Sequence, residues 1–429
     1  MVAVKAKNRL APDALIARHA APAGGAGWAE AVRTDARARL AATGAPQRRD
    51  EYWRFTNPGL LSQDVPNAVT PAPHEPVFDG VDALRIVFVD GVFAPDRSDD
   101  LAGEGLEVAT LSDALATDIH WAKDLFGVLE ARGQMPVPRE FAILNTAFAG
   151  QGVVLRATGK VTKPVLIDYL HEDASADAVL RHIVKVEAGA ALTVLEQGVA
   201  GARVNSVMEV EVAEGGAFDH VRVQGRDHDR QVFTAAFARL AATASYKSFT
   251  LSMNGVMTRN EQVVEFTGDE AAAHVAGAAI GEGSFHHDDT VFVTHDAVDC
   301  ESRQVFKKVL KDGATGVFQG KILVKEDAQR TDGYQISQGL LLDEDSNFLA
   351  KPELEIYADD VACSHGSTCG GLDETGLFYL LSRGVPRAAA TNMLVIAFLD
   401  EAVQEIGDDA LADAVRERIA AWLDRRAEG

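Results

Sequence analysis

Residues 317–324 read VFQGKILV, and short apolar segments of the same kind recur from about residue 151 to residue 362. These segments are rich in Val, Ile, Phe and Thr and are separated by Gly, Asp and Asn, which is typical of β-strands joined by tight turns. No helical period clearly interrupts the region, although residues 233–244 (FTAAFARLAATA) are ambiguous. The other predicted strands are residues 165–169, 182–187, 192–195, 262–266, 290–294, 305–310 and 354–357.

A long region of closely spaced strands predicts an all-β domain, which is a sandwich, a barrel or a β-helix. Asp312-Gly313 and Asp332-Gly333 lie 20 residues apart with similar extended stretches around them. A turn of about that length fits a coil that stacks one turn on the next. Periodicity alone does not separate such a β-helix from a sandwich.

The regions on either side contain helical segments. Residues 28–40 (WAEAVRTDARARL) and residues 121–132 predict helices, and residues 84–93 (LRIVFVDGVF) predict two short strands around a turn at Asp90-Gly91. We therefore expect a mixed N-terminal domain over residues 1–150, a β domain over residues 151–370 and a helical domain over residues 371–429.

The C-terminal domain carries clear helix boundaries. Asp373 is a candidate N-cap for a helix over residues 374–383, Gly384 suits its C′ position, and Pro386 suits the start of the next helix. A last helix is expected over residues 408–425. The second helix carries an apolar stripe that either packs within the helical domain or docks a partner; its members are Ala390, Met393, Leu394, Ala397 and Phe398.

Composition excludes several classes of protein. The net charge is −23, which repels phosphate backbones, so we expect no nucleic-acid partner. The sequence contains no run of 18 apolar residues, so we expect no membrane-spanning helix. Three cysteines and no apolar segment of the signal-peptide type predict a cytoplasmic protein without disulfides.

The densest candidate site is the segment from residue 359 to residue 366, DDVACSHG. On a strand, Cys363 and His365 point to the same face, because side chains alternate with period two. A thiolate and an imidazole are ligands suited to iron–sulfur species or zinc. The alternative is a buried cysteine and a hydrogen-bonded histidine at a domain junction. A closed site usually has four protein ligands, and only Cys369 lies nearby, so a second chain would have to supply the rest.

Other chemistries find little support in the sequence. A second polar cluster comprises His286, His287, Asp288, Asp289 and His295, but neighbours in an extended run face opposite sides, and we expect these residues to be solvated. The chain has no GxxxxGK[ST] motif, so we expect it to bind no nucleotide, and it has no GxSxG motif. Acidic pairs are plentiful in the β region, as in β-helix enzymes that act on polysaccharides, but no one pair stands out.

Several long motifs, in the same order, resemble the SufB/SufD family of SUF iron–sulfur cluster assembly proteins. The resemblance is dense over about residues 250–384 and looser before them. It is carried by residues 295–313 (HDAVDCESRQVFKKVLKDG), 317–346 (VFQGKILVKEDAQRTDGYQISQGLLLDEDS) and 351–384 (KPELEIYADDVACSHGSTCGGLDETGLFYLLSRG), together with residues 52–56 (YWRFT) near the N-terminus.

This resemblance implies a mainly β fold, a right-handed parallel β-helix with helical domains on either side. It implies a non-catalytic scaffold that pairs with SufB through the β-helix and binds the ATPase SufC through its C-terminal helices. His365 then corresponds to a histidine at the SufB interface where a transient iron–sulfur cluster forms. Cys363 beside it is a weaker candidate ligand, and Cys369 receives no role.

The motif Cys363-Ser364-His365-Gly366, and the lack of the extra N-terminal cysteines found in SufB-type chains, indicate the partner of SufB rather than SufB itself. Two rival functions remain: a purely structural brace for SufB without a ligand role, and a stand-alone β-helix enzyme acting on polysaccharide. The exposed edges of a β-helix also allow a homodimer of the chain alone.

Overall fold

The computed structural model of the chain describes residues 12–427, except residues 21, 23 and 226–228. Its helices are α1 (Pro12–Ala17), α2 (Gly27–Thr43), α3 (Gly59–Ser62), α4 (Leu111–Ala116), α5 (Val128–Arg132), α6 (Glu140–Phe148), α7 (Glu374–Ser382), α8 (Arg387–Val403) and α9 (Asp409–Ala427). Its strands are β1 (Leu84–Val89), β2 (Val92–Phe93), β3 (Leu106–Thr110), β4 (Val153–Ala157), β5 (Val165–Leu170), β6 (Asp177–Val186), β7 (Ala191–Gly198), β8 (Arg203–Val212), β9 (Ala217–Gln224), β10 (Gln231–Leu240), β11 (Ser245–Met253), β12 (Met257–Phe266), β13 (Ala272–Glu282), β14 (His286–His295), β15 (Glu301–Lys311), β16 (Thr315–Val324), β17 (Thr331–Leu341), β18 (Asn347–Ile356) and β19 (Val361–Gly370).

The strands from β4 to β19 form a parallel β-helix. Odd-numbered strands build one sheet, called sheet A, and even-numbered strands build the other, called sheet B. Each strand pairs in parallel with the strand two places along the chain, as β15 does with β17. This topology confirms the mainly β fold and the parallel β-helix, and it rules out the sandwich. The ambiguous segment at 233–244 falls largely in strand β10.

The length of one turn differs from the sequence-based estimate. Gln335 lies directly above Gln304 and is 31 residues further along the chain, so a turn here is longer than the expected 20 residues. Asp312 lies at a corner with a φ of 55°, whereas Asp332 lies inside β17. The two Asp-Gly pairs therefore are not equivalent positions.

Stacked corners keep successive turns in register. Where the chain passes from sheet B to sheet A, one residue adopts a positive φ, and its N–H donates to a carbonyl of the next turn. Asp299 N–H donates to Gln329 O at 3.0 Å, and Arg330 N–H donates to Asp360 O at 2.6 Å. This extends the ladder of hydrogen bonds around the corner and satisfies polar groups that a loop would leave unpaired.

The expectation that the second polar cluster is solvated is wrong for all of its members except His286, which is partly exposed. His287, Asp288, Asp289 and His295 are buried. The predicted alternation holds. His287 and Asp289 point into the β-helix, where Lys308 Nζ lies 2.7 Å from His287 Nδ1 and 2.5 Å from Asp289 Oδ2. Asp288 points outward, where the N-terminal region covers sheet B.

Arg259 joins that N-terminal region to sheet B. Its buried guanidinium forms ion pairs with Glu261 and Asp288, each at 2.7 Å, and donates to the carbonyl of Tyr52 at 2.7 Å. The guanidinium carbon also lies 4.0 Å from the centre of the Trp53 ring. The segment YWRFT thus supplies a backbone acceptor and an aromatic face to a buried cation.

The C-terminal helices α8 and α9 cover the outer face of sheet A. The apolar stripe predicted on α8 is wrong in part: Ala390 is buried, but Met393 and Ala397 are exposed. The buried residues that pack against sheet A are Val395, Leu399, Ala402 and Val403, and Phe398 of the predicted stripe packs beside them. The predicted helix over residues 121–132 is also broken, because Gly127 adopts a left-handed conformation between a short 3₁₀ turn and α5.

We expect His295 to make folding stability depend on pH. It is buried in the β-helix, stacked 4.5 Å from Phe266, and its Nε2 lies 2.9 Å from Ser302 Oγ. Burial lowers the pKa of His295 from 6.5 to about 4. The unfolded chain therefore takes up this proton near pH 6.5 and the folded chain does not, so the stability that His295 contributes is complete above pH 6.5. It falls by up to roughly 3 kcal/mol as the pH drops to about 4.

Urea unfolding of the wild type and of His295→Gln across this pH range measures the effect. The free energy of unfolding of the variant should fall less steeply with decreasing pH than that of the wild type. The difference in slope should correspond to at most one proton taken up on unfolding. Equal slopes in the two proteins would contradict the assignment.

Candidate functional site

The two ends of the β-helix differ. At the first end, short antiparallel strands close both sheets: β2 pairs with β1, and β3 pairs with β4. At the last end, β18 and β19 each have a strand neighbour on one side only, within the part of the chain that the structure describes. Each of these edge strands is ten residues long. Their unpaired N–H and C=O groups form a surface ready to pair with another chain.

Strand β19 presents Cys363, His365, Ser367 and Cys369 on one face. They pair in register with Gly333, Gln335, Ser337 and Gly339 of β17. Gln335 and Ser337 are buried in the β-helix, and Ser337 Oγ lies 2.7 Å from Ser367 Oγ. Because residues paired in a parallel ladder point to the same side, the four β19 side chains face the interior of the last turn. No further turn in the described part of the chain covers that interior, which we call the mouth.

Cys363 leans into the mouth and is half-buried. It packs beside Ile322, Leu354 and Val361, and its Sγ lies 3.1 Å from the point that a Cβ on Gly333 would occupy. Burial raises the pKa of the Cys363 thiol above its ordinary value. Burial therefore disfavours the thiolate form of Cys363.

His365 is exposed at the centre of β19. It lies above Gln335, whose Nε2 donates to Gln304 Oε1 at 2.6 Å, so a column of buried amides supports it from below. Its imidazole forms no hydrogen bond to any residue between 12 and 427 that the structure describes. Both ring nitrogens are thus available to an external ligand or metal. The structure confirms the predicted common face of Cys363 and His365.

Cys369 lies on the same face, although the sequence analysis gave it no role. The period of two on β19 was the signal that places it there. It is exposed, but it follows His365 by four residues, which on a strand separates their Cα atoms by about 13 Å. Among the described residues, no three His, Cys, Asp or Glu side chains come together to hold a metal ion.

The opposite rim of the mouth is apolar. Its members are the inward residues of β18, Phe348, Ala350, Pro352, Leu354 and Ile356. Phe348 packs directly against Gly339 of β17 across the mouth. A Cβ added to Gly339 would lie 2.5 Å from the Cγ of Phe348. The mouth thus combines one rim of thiols, imidazole and hydroxyl with one rim of apolar side chains.

Helices α7 and α8 expose a second surface. Asp373 caps α7, as predicted, by accepting from the N–H of Thr375 at 3.0 Å, and Gly384 takes the expected left-handed conformation, with a φ of 83°. Leu377 is the one buried residue of α7. The exposed apolar side chains, which we call the helical patch, are Phe378 (73% exposed), Tyr379 (55%), Leu381 (37%) and Met393 (51%).

Ion pairs connect α8, and the residues just after it, to the β-helix. Lys307 of β15 is buried, forms an ion pair with Glu401, and lies 4.8 Å from the centre of the Phe398 ring. Arg303 of the same strand binds Glu405 at 2.7 Å. Strand β15 pairs with β17, which pairs with β19. Contacts thus run from α8 through β15 and β17 to β19.

No helix among the described residues is long and apolar enough to cross a membrane.

Comparison with known proteins identifies the relatives of this chain. Residues 169–398 match the family described as SUF system FeS cluster assembly, SufBD core domain. The chain is 28% identical to the iron–sulfur cluster assembly protein SufD of Escherichia coli over 401 residues, which cover 90% of this chain and 91% of that protein. It is 26% identical to an iron–sulfur cluster assembly SufBD family protein of Synechocystis, covering 87% of each chain. It is 24% identical to the chloroplastic protein ABCI7 of Arabidopsis thaliana, covering 91% of this chain and 86% of that protein.

The exposure of the three cysteines predicts their order of reaction with iodoacetamide. Cys369 is exposed and should react first, and the half-buried Cys363 should react more slowly. Cys300 is buried and bonds through its thiol to Gly268 O, so it should react only on unfolding. Peptide mass spectrometry over time measures each rate, with Cys369→Ser as the control for peptide assignment. Faster reaction at Cys363 than at Cys369 would contradict the orientation of β19.

Proposed function

The chain belongs to the SufBD family of the SUF iron–sulfur cluster assembly system, and from this premise we propose that it is a scaffold subunit that lends His365 to a cluster site shared with a SufB-type partner. Its role in iron–sulfur cluster assembly follows from the family. The single observation that supports the role of His365 is the mouth, where its imidazole has no hydrogen-bond partner among the described residues and faces an uncovered turn.

The ligand count favours a shared site. One chain offers His365 and, more weakly, Cys363, whereas a cluster commonly has four protein ligands. The partner's thiolates would complete the set. The cluster is the cargo of this site, and a mixed imidazole–thiolate ligand set suits a group that must later leave, because imidazole binds iron less firmly than thiolate does. Cys363 contributes less, since its thiol is half-buried and has a raised pKa.

The open edges favour pairing with a second β-helix. Strands β18 and β19 each offer a row of unpaired backbone groups, and pairing edge to edge would satisfy both rows. In this proposal SufB supplies the second β-helix, and the mouths of the two chains face each other. The same edges allow a homodimer when the chain is alone.

The helical patch favours binding of an ATPase subunit of the SufC type. Exposed aromatic side chains such as Phe378 and Tyr379 are common anchors of protein interfaces. ATP-driven movement of that subunit would pull on α8, and the Lys307–Glu401 and Arg303–Glu405 pairs would pass the movement to β15. In this proposal the chain itself performs no catalysis.

The competing function is a structural brace in which SufB holds all ligands. It predicts the same edges and the same helical patch, so only the role of His365 separates the two. A polysaccharide-active enzyme is disfavoured, because the relatives carry names of iron–sulfur assembly proteins.

Replacement of His365 by Ala should lower the yield of cluster on the assembled complex roughly tenfold or more, because a ligand is lost. The matched control is Ser364→Ala, an exposed neighbour that points to the other face of β19. Both variants are co-expressed with SufB- and SufC-type proteins, and iron, sulfide and visible absorption are measured after anaerobic reconstitution. Native mass should be unchanged in both. Full cluster yield with His365→Ala would reject the ligand role and favour the brace.

Replacement of Phe378 and Tyr379 together by Ser should weaken binding of the ATPase subunit by about 30-fold or more, as loss of an aromatic anchor does at other interfaces. Pairing with the SufB-type chain should survive, since the edges of β18 and β19 are untouched. Val92→Ser, which removes an exposed apolar side chain at the other end of the β-helix, is the control. Native mass spectrometry gives the stoichiometry, and an undiminished ATPase content in the double variant would refute the assignment of the patch.

A further inference from the structure

A groove of about 430 Å³ lies on the outer face of sheet B, apart from the mouth and from the helical patch. Its floor is a column of side chains at the starts of four successive sheet B strands. His286 pairs in register with Thr315, and Thr315 with Asn347. Met257 begins the column. With strands about 4.8 Å apart, this floor is about 14 Å long.

The wall of the groove comes from the N-terminal segment that crosses sheet B. Arg48, Phe55, Asn57 and Leu60 line it. This segment is held in place from behind, because Thr56 Oγ1 donates to Asp288 Oδ2 at 2.5 Å and lies 3.0 Å from His286 Nε2. The groove therefore has a wall and a floor from different parts of the chain, and the wall is fixed to the floor by these contacts, as in a preformed binding site.

The charge of the groove is positive, which is unusual in a chain with a net charge of −23. No carboxylate is among the side chains that line it. Most arginines of the described chain form ion pairs, but Arg48, Arg49 and Arg54 are exposed and form none with any described carboxylate. Asp288 behind the floor is already neutralised by Arg259. The positive charge of Arg48 thus remains available to a ligand.

The other residues that line the groove are suited to the aromatic or apolar part of a ligand. Phe55, Leu60, Met257 and Leu349 supply apolar surface, and Asn57 supplies an amide at the edge. Burial lowers the pKa of His286, so its imidazole is neutral at neutral pH and adds no second charge. The floor is the face of a paired sheet, which offers no backbone ladder to an extended peptide. This favours a small ligand over a peptide.

We propose that this groove binds a small organic anion with an aromatic or apolar body. Its phosphate or carboxylate lies against Arg48, and its body packs between Phe55 and Leu60 on the wall and Leu349 on the floor. Leu349 belongs to β18, the same strand whose inward side chains form the apolar rim of the mouth. A ligand in the groove would therefore contact the last turn from its outer side.

Calorimetric titration of the full-length chain with 1-naphthyl phosphate, 2-naphthoate and neutral 2-naphthol tests the proposal. At least one of the two anions should bind with one site per chain, and 2-naphthol and inorganic phosphate should each bind much more weakly. The stronger of the two anions identifies the head group. Arg48→Ala should weaken the binding of that anion about tenfold, because a charge-assisted contact is lost.

A second variant guards against effects on folding. Asn57→Asp is isosteric and keeps an oxygen to accept from the N–H of Gly59 at 3.1 Å, but it adds a negative charge to the groove and should also weaken binding. Arg387→Ala removes an exposed arginine that begins α8 and should leave binding unchanged. Equal binding of 2-naphthol, or no effect of Arg48→Ala and Asn57→Asp, would overturn the proposal. So would tighter binding of an acidic peptide that displaces the naphthyl probe, since that would make the groove a protein docking site.

Discussion

Parallel hydrogen bonding between strands that lie one full turn apart is the interaction on which this molecule depends. Every strand of the β-helix needs a neighbour on both sides, so the series must either be closed or present unpaired groups where it stops. The antiparallel strands β2 and β3 close the first end. Nothing in the described chain closes β18 and β19. The open mouth, with His365 exposed at the centre of β19, is the direct consequence of that asymmetry.

A β-helix must also cover the outer faces of its two sheets, and this chain does so with its two ends. The N-terminal region covers sheet B and contributes the backbone and aromatic partners of the buried Arg259. The C-terminal helices cover sheet A and are tied to β15 by Lys307 and Arg303. Arg259 and Lys307 are buried charges, which are stable only when their partners are present, so each flanking region is held at a defined place on its sheet. Direct contacts therefore run from α8 through β15 and β17 to β19, which carries the mouth.

The mouth and the groove lie on opposite sides of β18. Leu354 and its inward neighbours face the mouth, and Leu349 and its outward neighbours face the N-terminal region. Tyr52 also contacts the outward side of this strand, through a 2.5 Å hydrogen bond to Glu353. The last strand of sheet B is thus supported from outside, whereas β19 depends on its ladder to β17. Support from the outer side leaves the mouth itself uncovered.

Short-range chemistry was enough to predict several local features and the family resemblance from the amino-acid sequence. The cap at Asp373, the left-handed Gly384, the turn at Asp90-Gly91, and the common face of Cys363 and His365 are such features. The sequence by itself did not determine which strands pair, because an alternating pattern is equally compatible with a sandwich and with a β-helix. Nor did it determine what is buried. His287 and Asp289 lie in the interior and Asp288 beneath the N-terminal region, and α8 packs through Val395 and Leu399 rather than through Met393. Burial at these positions depends on segments far away in the chain, so only the tertiary structure decides it.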